Sequence, residues 1–135
     1  MLTDEQKRDL SKVRLEHAEE CLQEAEDLLS TQKYKGAANR AYYAVFHAMR
    51  SVLALDAIDR RHHSGVISEF MRLYIKTGIF DKIFSKIING QFEYRTSSDY
   101  DDFFIISQEE AARQIVQAQR FLATVKDYLK IRQQH

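Results

Sequence analysis

The stretch Gly36-Ala-Ala-Asn-Arg-Ala-Tyr-Tyr-Ala-Val-Phe-His-Ala-Met-Arg50 decides how this chain folds. Between Gly36 and Leu55 only Arg40 and Arg50 are firmly charged. A helix that is apolar nearly all round is buried on more than one side. At about 100° per residue, Ala38, Ala41, Tyr42, Val45, Ala48, Met49 and Val52 form one stripe, within about 60° either side of Val45. Arg40, Tyr43, His47 and Arg50 fall on the opposite side, with Phe46 flanking them. Arg40 and His47 are two helical turns apart, a rise of about 10 Å. This second face has two readings. It is either a solvent-facing strip of amphipathic side chains, or an interface in which two such helices pack across a two-fold axis and bring two Arg/His sets into one cleft. Arg and Tyr are residues that interfaces favour.

Outward from this helix, which the spacing places at Tyr34 to Leu55, the chain reads as further long amphipathic helices. Toward the N-terminus, Thr3 and Gln6 have capping-box spacing, and Ala18, Cys21, Leu22, Ala25, Leu28 and Leu29 recur at helical steps until Ser30. Toward the C-terminus, a third helix runs from about Ser64 to Lys76 with Ile67, Phe70, Met71 and Tyr74 inward and Gly78 as its cap. A fourth carries Ile83, Phe84, Ile87, Ile88 and Phe92. Ser97, Ser98, Asp99, Asp101 and Asp102 compete with helix through local side-chain bonds, so Arg95 to Ile106 reads as an ordered loop anchored by Tyr100, Phe103 and Phe104. Ser107 and Glu110 form a second capping box before a last helix with Ala111, Ile115, Ala118, Leu122, Val125 and Leu129 inward. Short connections between such helices give an all-α, antiparallel up-and-down bundle of four to five helices.

Composition agrees. The 135 residues include no proline and four glycines, are 44% hydrophobic and 30% charged, and read as one globular domain over residues 1–135. Twenty basic and twenty acidic residues balance, so any pull on nucleic acid has to come from a local patch. The single Cys21 cannot form an internal disulfide and fits a reducing compartment. No apolar run is long enough to span a bilayer, and MLTDEQKRDL lacks a signal-peptide core. These features place the chain in the cytoplasm, with no membrane partner.

The Gly36–Arg50 stretch closely resembles the HEPN family, the helical domains of higher eukaryotes and prokaryotes, and looks most like its small stand-alone prokaryotic branch. An Arg, six intervening residues and a His inside an Ala/Tyr-rich helix carry the likeness. His63-Ser64-Gly65, Lys76-Thr77-Gly78, and Arg95 with Asp99-Tyr100 extend it across nearly the whole chain in order. The resemblance implies a helix bundle and a homodimer with a composite site holding Arg40 and His47 from both protomers. Many family members are metal-independent ribonucleases, often toxins paired with a small nucleotidyltransferase antitoxin. Others bind a nucleotide or a partner without cleaving RNA.

That chemistry suits these side chains. A histidine with an ordinary pKa near neutrality takes a proton from a ribose 2′-hydroxyl or gives one to the leaving oxygen. An arginine fork pairs with phosphate and stabilises charge as it develops. Arg40 and His47 are therefore the catalytic candidates, with Asn39, Tyr43, Arg50 and His63 as binding candidates. Arg95, Asp99 and Tyr100 are the loop-structuring set, with Arg95 and Asp99 paired to hold the loop. No cofactor and no metal is implied.

Other features read as structural. Arg60, Arg61, His62 and His63 form a local basic cluster that either guides a phosphate backbone or is a solvated turn. His63 or Ser64 reads as the cap of the third helix. The acidic run Asp99, Asp101, Asp102 lacks the glycine and terminal Glu of a calcium loop. Cys21 packs on a core stripe, and His17 and His135 carry no signal. Three readings stay open: a homodimeric HEPN-type ribonuclease, with a toxin component as one form of it; a non-catalytic HEPN module that binds a nucleotide or partners a nucleotidyltransferase; and, behind these, a purely structural dimer.

Overall fold

The computed structural model describes residues 1–133. His135 lies outside them. Five α-helices make a bundle: α1 (Asp4–Ser30), α2 (Tyr34–Leu55), α3 (His63–Phe70), α4 (Ile83–Tyr100) and α5 (Gln108–Gln133). A π-helical turn, Met71–Ile75, extends α3. No described helix is long and apolar enough to cross a membrane.

Helix α2 is the hub and packs against α1, α3, α4 and α5. Its small residues explain how. Ala37, Ala38, Ala41, Ala44 and Ala48 are all buried, and a residue with little side chain lets a neighbouring helix approach closely. Tyr42, Val45, Met49, Val52 and Leu53 then fill the space between. Facing them are Ala18, Cys21 and Ala25 of α1 and Ala111, Ile115, Ala118, Phe121, Leu122 and Val125 of α5. An aromatic cluster of Phe70, Tyr74, Phe80, Phe84 and Phe121 closes the far end, with ring centroids 5.3–6.4 Å apart.

The helix starts follow local chemistry. Thr3 Oγ1 accepts from Gln6 N while Thr3 N donates to Gln6 Oε1, a complete capping box. At α5 only half the expected box forms. Glu110 N donates to Ser107 Oγ, but the Glu110 carboxylate turns to Arg113 and Gln114 instead. The third helix begins at His63, with the His62 backbone extended before it and no side-chain cap, so neither His63 nor Ser64 caps it.

The segment read as a loop from Arg95 is helical as far as Tyr100. Its polar side chains are satisfied inside the helix rather than against it. Thr96 Oγ1 donates to the Phe92 carbonyl, and Arg95 and Asp99 lie one turn apart with Nε and Oδ2 separated by 3.0 Å. The helix stops at Asp101, whose carboxylate accepts from Phe103 N, the local bond by which Asp ends helices. Nor do all the aromatics anchor this connection: Tyr100 and Phe103 are exposed, and only Phe104 packs, edge-on to Tyr94.

Helices α1 and α2 both end in a Schellman motif. After α1, Lys33 N donates to Leu28 O and Gln32 N to Leu29 O; after α2, Ile58 N donates to Leu53 O and Ala57 N to Ala54 O. The residue that turns left-handed is Gln32 (φ 63°) in the first and Ala57 (φ 57°) in the second, where glycine is the unstrained choice. Gln32→Gly and Ala57→Gly are each expected to stabilise the fold by about 0.5–1 kcal/mol. Urea denaturation of each variant measures this through a raised midpoint at unchanged slope.

Candidate functional site

The face of α2 opposite its core stripe carries Asn39, Arg40, Tyr43, His47 and Arg50, all half-buried. It is neither open surface nor core. Helix α1 covers one flank and the start of α3 covers the other, so the strip sits in a seam of the bundle.

Arg40 folds back on its neighbour. Its Nε and Nη2 both donate to Asn39 Oδ1, at 3.1 and 2.8 Å, and its guanidinium lies 4.8 Å from the Tyr43 ring centroid. Arg50 and Arg14 are held by a carboxylate. Asp59, just after α2, accepts from Arg14 Nη2 at 3.0 Å and from Arg50 Nη2 at 3.3 Å, while Arg14 Nη1 donates to the Arg50 carbonyl. Burial alone would raise the Asp59 pKa, but the bonds from Arg50 and Arg14 outweigh it and hold that carboxylate below its usual range.

His47 lies against α1. Its ring stacks on His17 with centroids 4.6 Å apart and planes at 24°, and Phe46 meets it edge-on. Its Nδ1 is buried with no hydrogen-bond partner. Burial, then His17, Arg50, Arg40 and His63 in turn, disfavour a positive ring and pull its pKa down to about 4. At neutral pH His47 is therefore an uncharged imidazole.

His63 belongs to the same cluster. Although it is the first residue of α3, its ring stacks on Phe46 at 4.2 Å and 18°, and its Nδ1 lies 2.6 Å from the Tyr42 hydroxyl. Burial pushes the Tyr42 hydroxyl well above its ordinary pKa and the His63 ring below its own. A protonated phenol beside a neutral imidazole assigns Tyr42 as donor and Nδ1 as acceptor. From α4, Arg95 approaches the same aromatic set, 6.0 Å from the Tyr42 ring and 5.9 Å from Tyr43. Its contact with Asp99 is an ion pair whose Nε–H is not aligned for a hydrogen bond.

The fold thus brings Asn39, Arg40, Tyr43, His47, Arg50, His63, Arg95 and Asp99 together and leaves Tyr100 apart, 86% exposed at the end of α4. Three members escape an apolar-periodicity reading: Arg14, His17 and Asp59. Arg14 and His17 sit seven and four residues before Cys21, on the face of α1 that meets α2, but they are polar. In the basic cluster, Arg60 pairs with Glu69, and Arg61 and His62 are exposed. Two grooves of about 520 and 550 Å³ lie elsewhere, between α1 and α5 and at the start of α4. Among the described residues, no group of three or more His, Cys, Asp or Glu is placed to hold a metal ion.

The sequence matches the HEPN domain family over residues 11–128. The chain belongs to the HEPN family. Among its relatives, a Methanocaldococcus jannaschii protein named a putative toxin is 35% identical over 91% of this chain and 83% of its own length. A second protein of that organism, also named a putative toxin, is 33% identical over 86% of each chain. A UPF0332 protein of Thermotoga maritima is 33% identical over 84% of this chain and 86% of its own. The matched span contains every residue of the cluster described above, from Arg14 to Asp99.

The depressed His47 pKa has a consequence for stability. The unfolded chain, with its histidines near pH 6.5, takes up a proton before the folded HEPN domain does. Stability is therefore full above about pH 6.5 and falls as pH drops toward 4. His63, also depressed, acts in the same direction. For a half-buried ring the loss at His47 amounts to about 1–2 kcal/mol. His47→Gln should flatten the urea midpoint across that window, and an unchanged slope of midpoint against pH would contradict the burial of the ring.

Proposed function

We infer that this HEPN domain acts as a toxin-like, metal-independent ribonuclease whose working site forms between two copies of the chain. The observation that carries the reading is the pairing, on one seam of α2, of a guanidinium held by a neutral amide with an uncharged imidazole two turns away. The relatives named as putative toxins support it.

In this reading a phosphate displaces Asn39 from Arg40, because a charge-assisted bidentate pair is stronger than a bond to a neutral carbonyl. Tyr43, against the guanidinium, limits where that fork points. His47, neutral as required, takes the proton of the ribose 2′-hydroxyl. The 2′-oxygen then bonds to phosphorus, the bond from phosphorus to the 5′-oxygen breaks, and the partner subunit's His47, protonated once the phosphate lies against it, gives its proton to that oxygen, so that one ring gains the proton the other loses. The products are a 2′,3′-cyclic phosphate end and a free 5′-hydroxyl. Arg40 stabilises the charge gathered on the phosphorane oxygens, and Arg50, held by Asp59, stays a binding group on the same strip. A phosphate brought against His47 also raises its pKa, which moves the ring toward the range in which acid and base roles exchange.

A second copy is part of the proposal because the strip lies on a seam of the bundle, away from the two large grooves of the single chain. Two-fold packing of α2 on its symmetry mate brings both Arg/His sets to one cleft. A small nucleotidyltransferase-like protein is the partner expected to neutralise such a toxin. The cytoplasm is the compartment that fits an RNA target.

Purified chain should cleave single-stranded RNA in the presence of EDTA, and Arg40→Ala and His47→Ala should each lower the rate at least 100-fold. Both variants should keep the dimer mass by light scattering. A second reading, a binding module without catalysis, is favoured by the low pKa of His47, which makes it a weak base. Intact RNA with a clean dimer, together with nucleotide binding lost in Arg40→Ala, decides for that reading.

A further inference from the structure

His17 is the one side chain of α1 that reaches the His47 ring face to face, and it does so from an exposed position. This geometry has an unusual feature. His47 is the central imidazole of the seam, yet its Nδ1 is buried without a partner. In many sites a catalytic histidine is oriented by a carboxylate or carbonyl bonded to the second ring nitrogen, and that bond is missing at Nδ1 here. What holds the ring plane is packing: the parallel His17 ring at 4.6 Å and 24° on one side, and the edge of Phe46 at 5.4 Å and 65° on another. Tyr43, at 6.2 Å, is a more distant neighbour.

We propose that His17 is a positioning residue for His47, a stacked cover from α1 that fixes the imidazole plane and shields one face of the ring from water. The proposal rests on the reading of His47 as the working histidine, but its primary test does not. His17 covers the ring from α1; Arg40 and Arg50 face it from α2, and His63 from α3. All four disfavour a positive ring, and only His17 also shields it by stacking. Removing the cover lets water reach the ring and removes one of those groups, and both changes ease protonation. A phenyl ring in its place keeps the shield without the titratable group.

The experiment is an NMR titration of the His47 imidazole in the full chain without RNA, for the unmodified protein, His17→Ala and His17→Phe. His17 is exposed, so both variants should keep the fold, with circular dichroism as the check. The expected midpoint is about 4 for the unmodified chain. It should rise by about one pH unit in His17→Ala and stay within about half a unit of the original in His17→Phe. In RNA cleavage, His17→Ala should lower kcat with KM unchanged, and His17→Phe should restore it. A His17→Ala midpoint equal to that of the unmodified chain, or a His17→Phe midpoint that follows the alanine variant, overturns the positioning role. The expected titration pattern in a chain that leaves RNA intact supports the positioning role and overturns the ribonuclease reading instead.

Discussion

Helix α2 is in contact with every other helix of the bundle, and that single demand shapes the rest of the molecule. A helix so enclosed cannot expose a full polar face, because most of its circumference is in contact with protein. Its alanines resolve the packing side by letting α1 and α5 come close. What remains is one strip where α1 and α3 meet across α2. The side chains on that strip are too polar for the core and too enclosed for free solvent. Burying a charge without a partner is costly, so each cation there needs a local answer.

Those answers come from distant parts of the chain. Asp59 serves Arg14 and Arg50 together, tying α1, α2 and the connection after α2 into one unit. The bond from Arg14 to the Arg50 carbonyl adds a second tie. Losing Asp59 would leave Arg14, 7% exposed, without its carboxylate, the situation in which buried charge is most destabilising. The Tyr42–His63 contact does for the aromatic side what Asp59 does for the cationic side. It gives a fully buried hydroxyl its acceptor and locks the start of α3 onto α2.

How much of this is legible in the sequence follows from what each interaction depends on. The extent of α2, Tyr34–Leu55, and the inward faces of α2 and α5 depend on apolar spacing, which periodicity records. The bonds that continue α4 to Tyr100 are also local, but Ser, Thr and Asp support either a loop or a helix. Whether Arg95 and Asp99 pair one turn apart depends on the neighbours that hold Arg95 against Tyr42 and Tyr43. The α1 side of the site is harder to see. Ser11 and Arg14 are buried among Ala18, Cys21 and Ala25, but a stripe counted in apolar residues starts only at Ala18. Arg14 is buried because its carboxylate lies 45 residues further on, and no pattern within one helix carries that information. His17 fails for the same reason: its partner is His47, on the neighbouring helix.

Twenty cations against twenty anions give no general pull on the polyanion proposed as substrate, and the local pairing resolves the conflict. Arg14 and Arg50 share one carboxylate, and Arg95 has Asp99 beside it. Among the described residues Arg40 pairs with no carboxylate; its fork rests on the neutral oxygen of Asn39. Arg40 is therefore the guanidinium of this strip whose charge no carboxylate offsets. Releasing that guanidinium from an amide costs less than breaking an ion pair. On the same strip His47 is kept uncharged, by burial first and then by His17, Arg50, Arg40 and His63. A chain with no net charge thus still carries, on this seam, one cation that no carboxylate offsets, which is the local patch that the proposed phosphate contact requires.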